Sequence, residues 1–189
     1  MNYIRIDNFD TANSKGIAVV LWVSHCPHHC AGCHNPQTWS EESGKFFDAK
    51  AAQDFFKAIE NPHIQNVVFS GGDPLSDFNV EVVNGLMKNI KTLYPQKKII
   101  VYTGYTIEEI LQNTLRRQAI KNVDYLIDGR FEKDNKVKGL DLRGSYNQRC
   151  LMAQAGASNG LRLIDWSWEY FRDTTTMDKL NFGKKIEVD

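Results

Sequence analysis

Residues 17–24 read IAVVLWVS and run straight into His25-Cys26. A near-continuous apolar run of this kind is the pattern of a strand covered on both faces. The segment after it carries Pro27, Gly32, Asn35 and Pro36 as breakers, so it reads as a loop. A buried strand that ends in a cysteine loop is the first unit of the chain.

Working outward, the same unit recurs. Residues 48–60, DAKAAQDFFKAIE, fit a helix with Asp48 as N-cap. Residues 66–70, NVVFS, fit a short buried strand that stops at Gly71-Gly72. Residues 77–94 fit a helix, with Val80, Val83, Leu86, Met87 and Ile90 on one face. Residues 97–102, KKIIVY, read as a strand, and Thr106 to Glu109 match a capping box that opens a helix to about Gln118. Residues 122–127, NVDYLI, form a strand ended by Asp128-Gly129. Alternating strands and helices predict an α/β fold with a parallel sheet and right-handed crossovers. Ligands gather at the carboxyl ends of such strands. The cysteines, Gly71-Gly72, Thr103-Gly104 and Asp128-Gly129 all fall there. Beyond Cys150 the pattern weakens: residues 162–171 are aromatic and read as a strand or a docking segment, and residues 172–189 as a loose polar tail.

The chain of 189 residues suits a single domain. Lys+Arg and Asp+Glu both number 23, so the net charge is zero and there is no electrostatic footprint of a general nucleic-acid binder. No apolar run of about 18 residues predicts a membrane span. The first residues, with Asp7 and Asp10, lack a secretion signal's apolar core, so a cytoplasmic location with reduced thiols is expected.

Cys26, Cys30 and Cys33 form an odd-numbered cluster, spaced Cys-x3-Cys-x2-Cys, while Cys150 stands alone. An odd cluster among reduced thiols points to a metal site rather than a disulfide framework. Three thiolates on one loop suit three irons of a [4Fe-4S] cubane and leave the fourth iron open. His25, His28, His29 and His34 flank the cysteines, so a Cys3His zinc site is the competing reading, and with it a zinc-stabilised binding module without catalysis. The spacing favours the cubane, because no second half of a zinc site follows. The histidines individually read as surface or supporting groups.

The longer string CPHHCAGCHNPQTW, residues 26–39, resembles the activating enzymes of anaerobic (class III) ribonucleotide reductase, within the radical S-adenosylmethionine (SAM) superfamily. SGGDPL at 70–75, VYTGYT at 101–106, DYLIDGRF at 124–131 and RGSYNQR at 143–149 resemble that family in the same order. The likeness covers roughly residues 1–150 and leaves 151–189 as a C-terminal extension of unknown role. His34 stands where the family usually has Tyr, and His25 where Gly is common. Asn13-Ser14-Lys15-Gly16 replaces a Gly-Pro-Gly. Gly32-Cys33 and RGSYNQR favour this family over activators of other glycyl-radical enzymes such as pyruvate formate-lyase.

The resemblance implies an incomplete (β/α) barrel of the radical SAM type. It implies that the open iron chelates SAM and that an external electron, from a donor such as a flavodoxin system, cleaves it. The resulting 5′-deoxyadenosyl radical would take a hydrogen atom from a glycine of the reductase large subunit. The hard chemistry belongs to the cofactor, and the reaction needs no catalytic acid–base pair. The implied SAM contacts are Gly32, Cys33, His34, Gly71, Gly72, Asp73, Thr103 and Asp128. Arg143 and Arg149 are candidates to face the SAM carboxylate or the partner protein.

Overall fold

The computed structural model describes residues 1–137, 139–140, 142–155, 160–167 and 185–188. In chain order the elements are β1 (Asn2–Asp10), β2 (Ala18–Val23), β3 (Lys45–Phe46), α1 (Ala49–Ile59), β4 (Asn66–Gly71), α2 (Val80–Leu93), β5 (Lys98–Tyr102), α3 (Ile107–Leu111), α4 (Thr114–Ile120), β6 (Tyr125–Asp128), β7 (Arg149–Ala155), β8 (Leu161–Asp165) and β9 (Lys185–Val188). The strands form one sheet in the order β3-β1-β2-β4-β5-β6-β7-β8-β9. The pairs β2–β4, β4–β5 and β5–β6 are parallel. The flanking pairs are antiparallel, so the sheet is mixed rather than wholly parallel.

Every residue of β2 is buried, as its apolar run predicts. Side-chain alternation divides that strand between two cores. Val19, Leu21 and Val23 join Val67, Phe69, Ile99 and Val101 beneath helical residues such as Phe55, Met87, Ile90, Ile107 and Ile120. Ala18, Val20 and Trp22 join Val68, Ile100, Ile127 and Cys150 in a smaller cluster without a helical residue. The described helices therefore pack on one face of the sheet. Phe55 and Phe69 are fully buried there, and burying one such ring stabilises a fold by about 1.5–3 kcal/mol. Among the described residues no helical residue joins the cluster on the opposite face, and a cleft opens on that face.

Several expectations hold at the level of single atoms. The Asp48 carboxylate accepts from the Ala51 amide at 2.8 Å, and Thr106 and Glu109 complete the capping box. Others need correction. The helix expected to run to Gln118 breaks into α3 and α4, because the Asn113 side chain accepts from the Arg116 amide and starts a new helix. α2 begins at Val80 rather than residue 77, since the buried Asn79 side chain donates instead to the Ser24 and Asp73 carbonyls. The polar tail is not all loose: Lys185–Val188 pair with β8, and Val188 is buried. Of the aromatic stretch, Leu161–Asp165 are strand, and residues 168–184 lie outside the described residues. β1 was not expected at all, because its apolar residues follow no clean alternation. The sheet continues across residue 150 through β7.

Candidate active site

The cysteine loop leaves the end of β2 and is fastened to its neighbours by backbone bonds. The Gly72 amide donates to the Val23 carbonyl at 2.8 Å, and the Asp73 amide to the His25 carbonyl at 2.7 Å. A Cβ on Gly72 would lie 2.5 Å from the His25 carbonyl oxygen. Gly71 has φ +100°, the left-handed region that favours glycine. The glycine pair thus seats the cysteine loop against the end of β4. Gly72→Ala should destabilise the protein by about 1–3 kcal/mol, the usual cost of forcing atoms into filled space. A urea titration checks this; an unchanged midpoint would show that the loop moves aside freely.

Within the loop, His25 and His29 carry φ of 66° and 46°. That conformation is uncommon for residues with a side chain. His29 stacks on Trp39 at 4.7 Å, and the Cys26 amide donates to the Trp39 carbonyl at 3.1 Å. Thr38, 2% exposed, donates through Oγ1 to the Asn35 carbonyl at 2.8 Å. Thr38-Trp39 therefore frames the far end of the loop.

All three cysteines are free thiols and half-buried. Burial pushes the Cys26 thiol up to about 12, and the Asp73 carboxylate adds to the rise, while the His28 and His29 amides oppose it. Burial also raises Cys30, against an opposing Phe131 amide. The Asn35 amide donates to Cys33 Sγ at 3.3 Å. The sulfurs thus meet backbone N–H groups, the contacts that tune iron–sulfur potentials. Among the described residues, no three His, Cys, Asp or Glu side chains converge as ligands of one metal ion. Three free, half-buried thiols on one loop are the soft donor set that an iron–sulfur cluster would take.

A cleft of about 420 Å³ adjoins Cys33 on the helix-free face, within the range of small-molecule sites. Of the residues read as SAM contacts or as facing SAM, Cys33, His34 and Arg143 line it. Ser70, Tyr102, Phe131 and Gln148 line it too, and the sequence reading did not single them out. Alternation along β2, β4 and β5 was the available signal: Trp22, Ser70 and Tyr102 share parity with the helix-free cluster.

Asp73 and Asp128 are built differently from free cofactor ligands. Asp73, 1% exposed, accepts from the Leu75 amide at 2.8 Å, the Thr103 hydroxyl at 2.9 Å and the Gly104 amide at 2.9 Å, with His28 Nε2 at 2.7 Å. Asp128, fully buried, accepts from the Ile107 amide at 2.7 Å and from Arg149 Nε at 2.9 Å and Nη2 at 2.5 Å. Burial pushes the Asp128 carboxyl up, and the Arg149 guanidinium pulls it back. Arg149 also grips Glu108 and holds its carboxyl down at about 2. Arg149, read as facing SAM or a partner protein, is thus engaged by two carboxylates of its own chain. Arg143 is buried and donates to the Gln148 carbonyl at 3.0 Å and the Ser167 carbonyl at 3.2 Å. His28, read as a surface or supporting group, has a side chain that is 4% exposed.

A family model described as a 4Fe-4S single cluster domain matches residues 12–151. That match, over residues that include the cysteine loop, puts the chain in the class of single-cluster iron–sulfur proteins. An anaerobic ribonucleoside-triphosphate reductase-activating protein of Pasteurella multocida is 39% identical over 150 residues, covering 78% of this chain and 95% of its own. The proteins of that name from Enterobacteria phage T4 and Escherichia coli strain K12 are 39% and 36% identical, over 79% and 78% of this chain and 92% and 96% of theirs. The chain belongs to the family of anaerobic ribonucleoside-triphosphate reductase-activating proteins. Among the described residues, no helix is long and apolar enough to cross a membrane.

Proposed function

We propose that this chain is the radical SAM activase of an anaerobic ribonucleotide reductase, with Cys26, Cys30 and Cys33 holding a [4Fe-4S] cluster and the cleft beside Cys33 receiving SAM. When bound, the cluster supplies the electron that splits SAM into methionine and a 5′-deoxyadenosyl radical, which takes a hydrogen atom from a glycine of the reductase large subunit. The observation that supports this reading is the cleft itself, which brings Cys33 and a pocket of cofactor size together at the carboxyl ends of β2, β4 and β5.

The protein's part is position. The backbones of Gly32, Cys33 and His34 would lie beside the open iron, and the carbonyls of Gly71 and Gly72 would accept from the SAM ammonium. His34 and Phe131, 5.7 Å apart, offer ring surfaces to adenine. Asp73, Thr103 and Asp128 act from beneath, by holding the turns that carry these groups. The one-sided helical layer supports an incomplete barrel of the radical SAM type, open toward a large protein substrate. Residues 1–150 carry the activity, and residues 151–189 are an extension whose described strands lengthen the sheet. A cytoplasmic setting with an external donor of the flavodoxin kind completes the proposal.

Anaerobic reconstitution with iron and sulfide should give about four irons per chain and a reduced-state EPR signal that changes when SAM is added. One tightly bound zinc without such a signal would overturn the cluster. With the reductase large subunit present, a glycyl-radical doublet should appear. Its absence, with SAM still cleaved, would overturn the partner.

A further inference from the structure

We propose that His28 is a positioning residue for the iron–sulfur site: its ring, pinned by Asp73 and seated on Gly104, holds the stretch between Cys26 and Cys30 in ligand geometry. The inference rests on the cluster reading above and deepens it.

The argument starts from burial. His28 sits between two proposed ligands, yet its side chain is 4% exposed and that of Asp73 is 1% exposed. A loop histidine this deep needs a partner, because an unpaired buried polar group is costly. Asp73 Oδ2 supplies it at 2.7 Å. The carboxylate only accepts, so the ring donates through Nε2–H.

Asp73 is itself immobilised. Its oxygens also accept from Leu75, Thr103 and Gly104. One buried carboxylate thus ties the loop after β2, the turn after β4 and the turn after β5. These strands are neighbours in the sheet.

The ring's seat is shaped for it. A Cβ on Gly104 would lie 2.2 Å from His28 Cδ2, and the ring meets Tyr105 edge-on at 4.4 Å. Gly104 has no left-handed φ to explain its presence. Room for the imidazole is the reason the structure supplies.

Such a tether orients ligands without touching the metal. Losing an outer contact of this kind typically costs about 10–100-fold in metal affinity or activity. Three full-length variants test it: His28→Ala removes the tether, His28→Gln keeps a donor near Nε2, and Gly104→Ala fills the seat while leaving His28 and Asp73 intact. Each is reconstituted anaerobically. Iron loss to a chelator and the EPR line shape of the reduced cluster are measured, together with the melting temperature of the iron-free protein.

The expected result is iron loss about 10–100-fold faster and a broadened EPR signal in His28→Ala and Gly104→Ala. His28→Gln should restore most of the retention. Wild-type iron retention and line shape in His28→Ala, with only the melting temperature lowered, would overturn the inference and leave the cluster reading standing. His28→Gln behaving like His28→Ala would overturn the hydrogen bond as the cause. A wild type that takes up no four-iron centre defeats the functional reading, and this inference with it.

Discussion

Cys33→Ala is expected to abolish SAM cleavage and to leave the reconstituted protein short of a four-iron centre. Cys33 is the cysteine at which the cluster loop and the cleft meet. Its amide donates to the Cys30 carbonyl at 3.1 Å, and its sulfur accepts from the Asn35 amide. Gly32 before it adopts φ +75°, the left-handed region that favours glycine. Alanine keeps this backbone and removes only the sulfur. The loss therefore has to exceed the about 10–100-fold that an outer contact costs. The readouts are iron per chain and 5′-deoxyadenosine formed with dithionite as reductant. Cys150→Ala serves as the counterpart: Cys150 is buried beyond the loop, in the helix-free cluster, and its loss should leave iron content unchanged. Full iron and full cleavage in Cys33→Ala would place the third ligand elsewhere.

Arg149→Met should cost about 3–5 kcal/mol, the range found when one partner of a buried ion pair is removed. Asp128 is fully buried, and Arg149 reaches both its oxygens. Without the guanidinium, the carboxylate keeps the Ile107 amide and has no counter-charge from Arg149. A urea midpoint that falls at constant slope measures the loss. The double variant Arg149→Met with Asp128→Leu should recover most of it, because the penalty lies in the stranded charge rather than in the missing bond. A loss below about 1 kcal/mol, the size of an exposed pair, would mean that water reaches Asp128. The effect bears on function through the next residues. Gly129 donates to the Tyr105 carbonyl at 3.1 Å, Arg130 pairs with Glu109, and Phe131 carries both an amide toward Cys30 and a ring in the cleft.

The contrast between Asp73 and Asp128 as read and as found has a physical source. Both stand at strand ends beside glycines, where ligand-binding residues and turn-forming residues look alike. Their donors come from residues 45 positions away for His28 and 21 for Arg149. Nothing local in the chain announces pairs so distant. The same holds for the cleft: Phe131 and Gln148 meet Cys33 only because β6 and β7 bring them round.

What the chain determined by itself lies in its short-range patterns. The apolar run at 17–24, the capping box at Thr106 and the cysteine spacing each act within a few residues, so strand, helix start and the proposed ligand set were legible before any fold. The family string at 26–39 narrowed the chemistry further. Tertiary structure decided which face of the sheet the helices left open and which polar groups were taken by internal partners. It also turned the His28 side chain of the cysteine loop inward. Those outcomes depend on burial and hydrogen-bond satisfaction summed over distant segments, and such sums exist only once the strands are side by side.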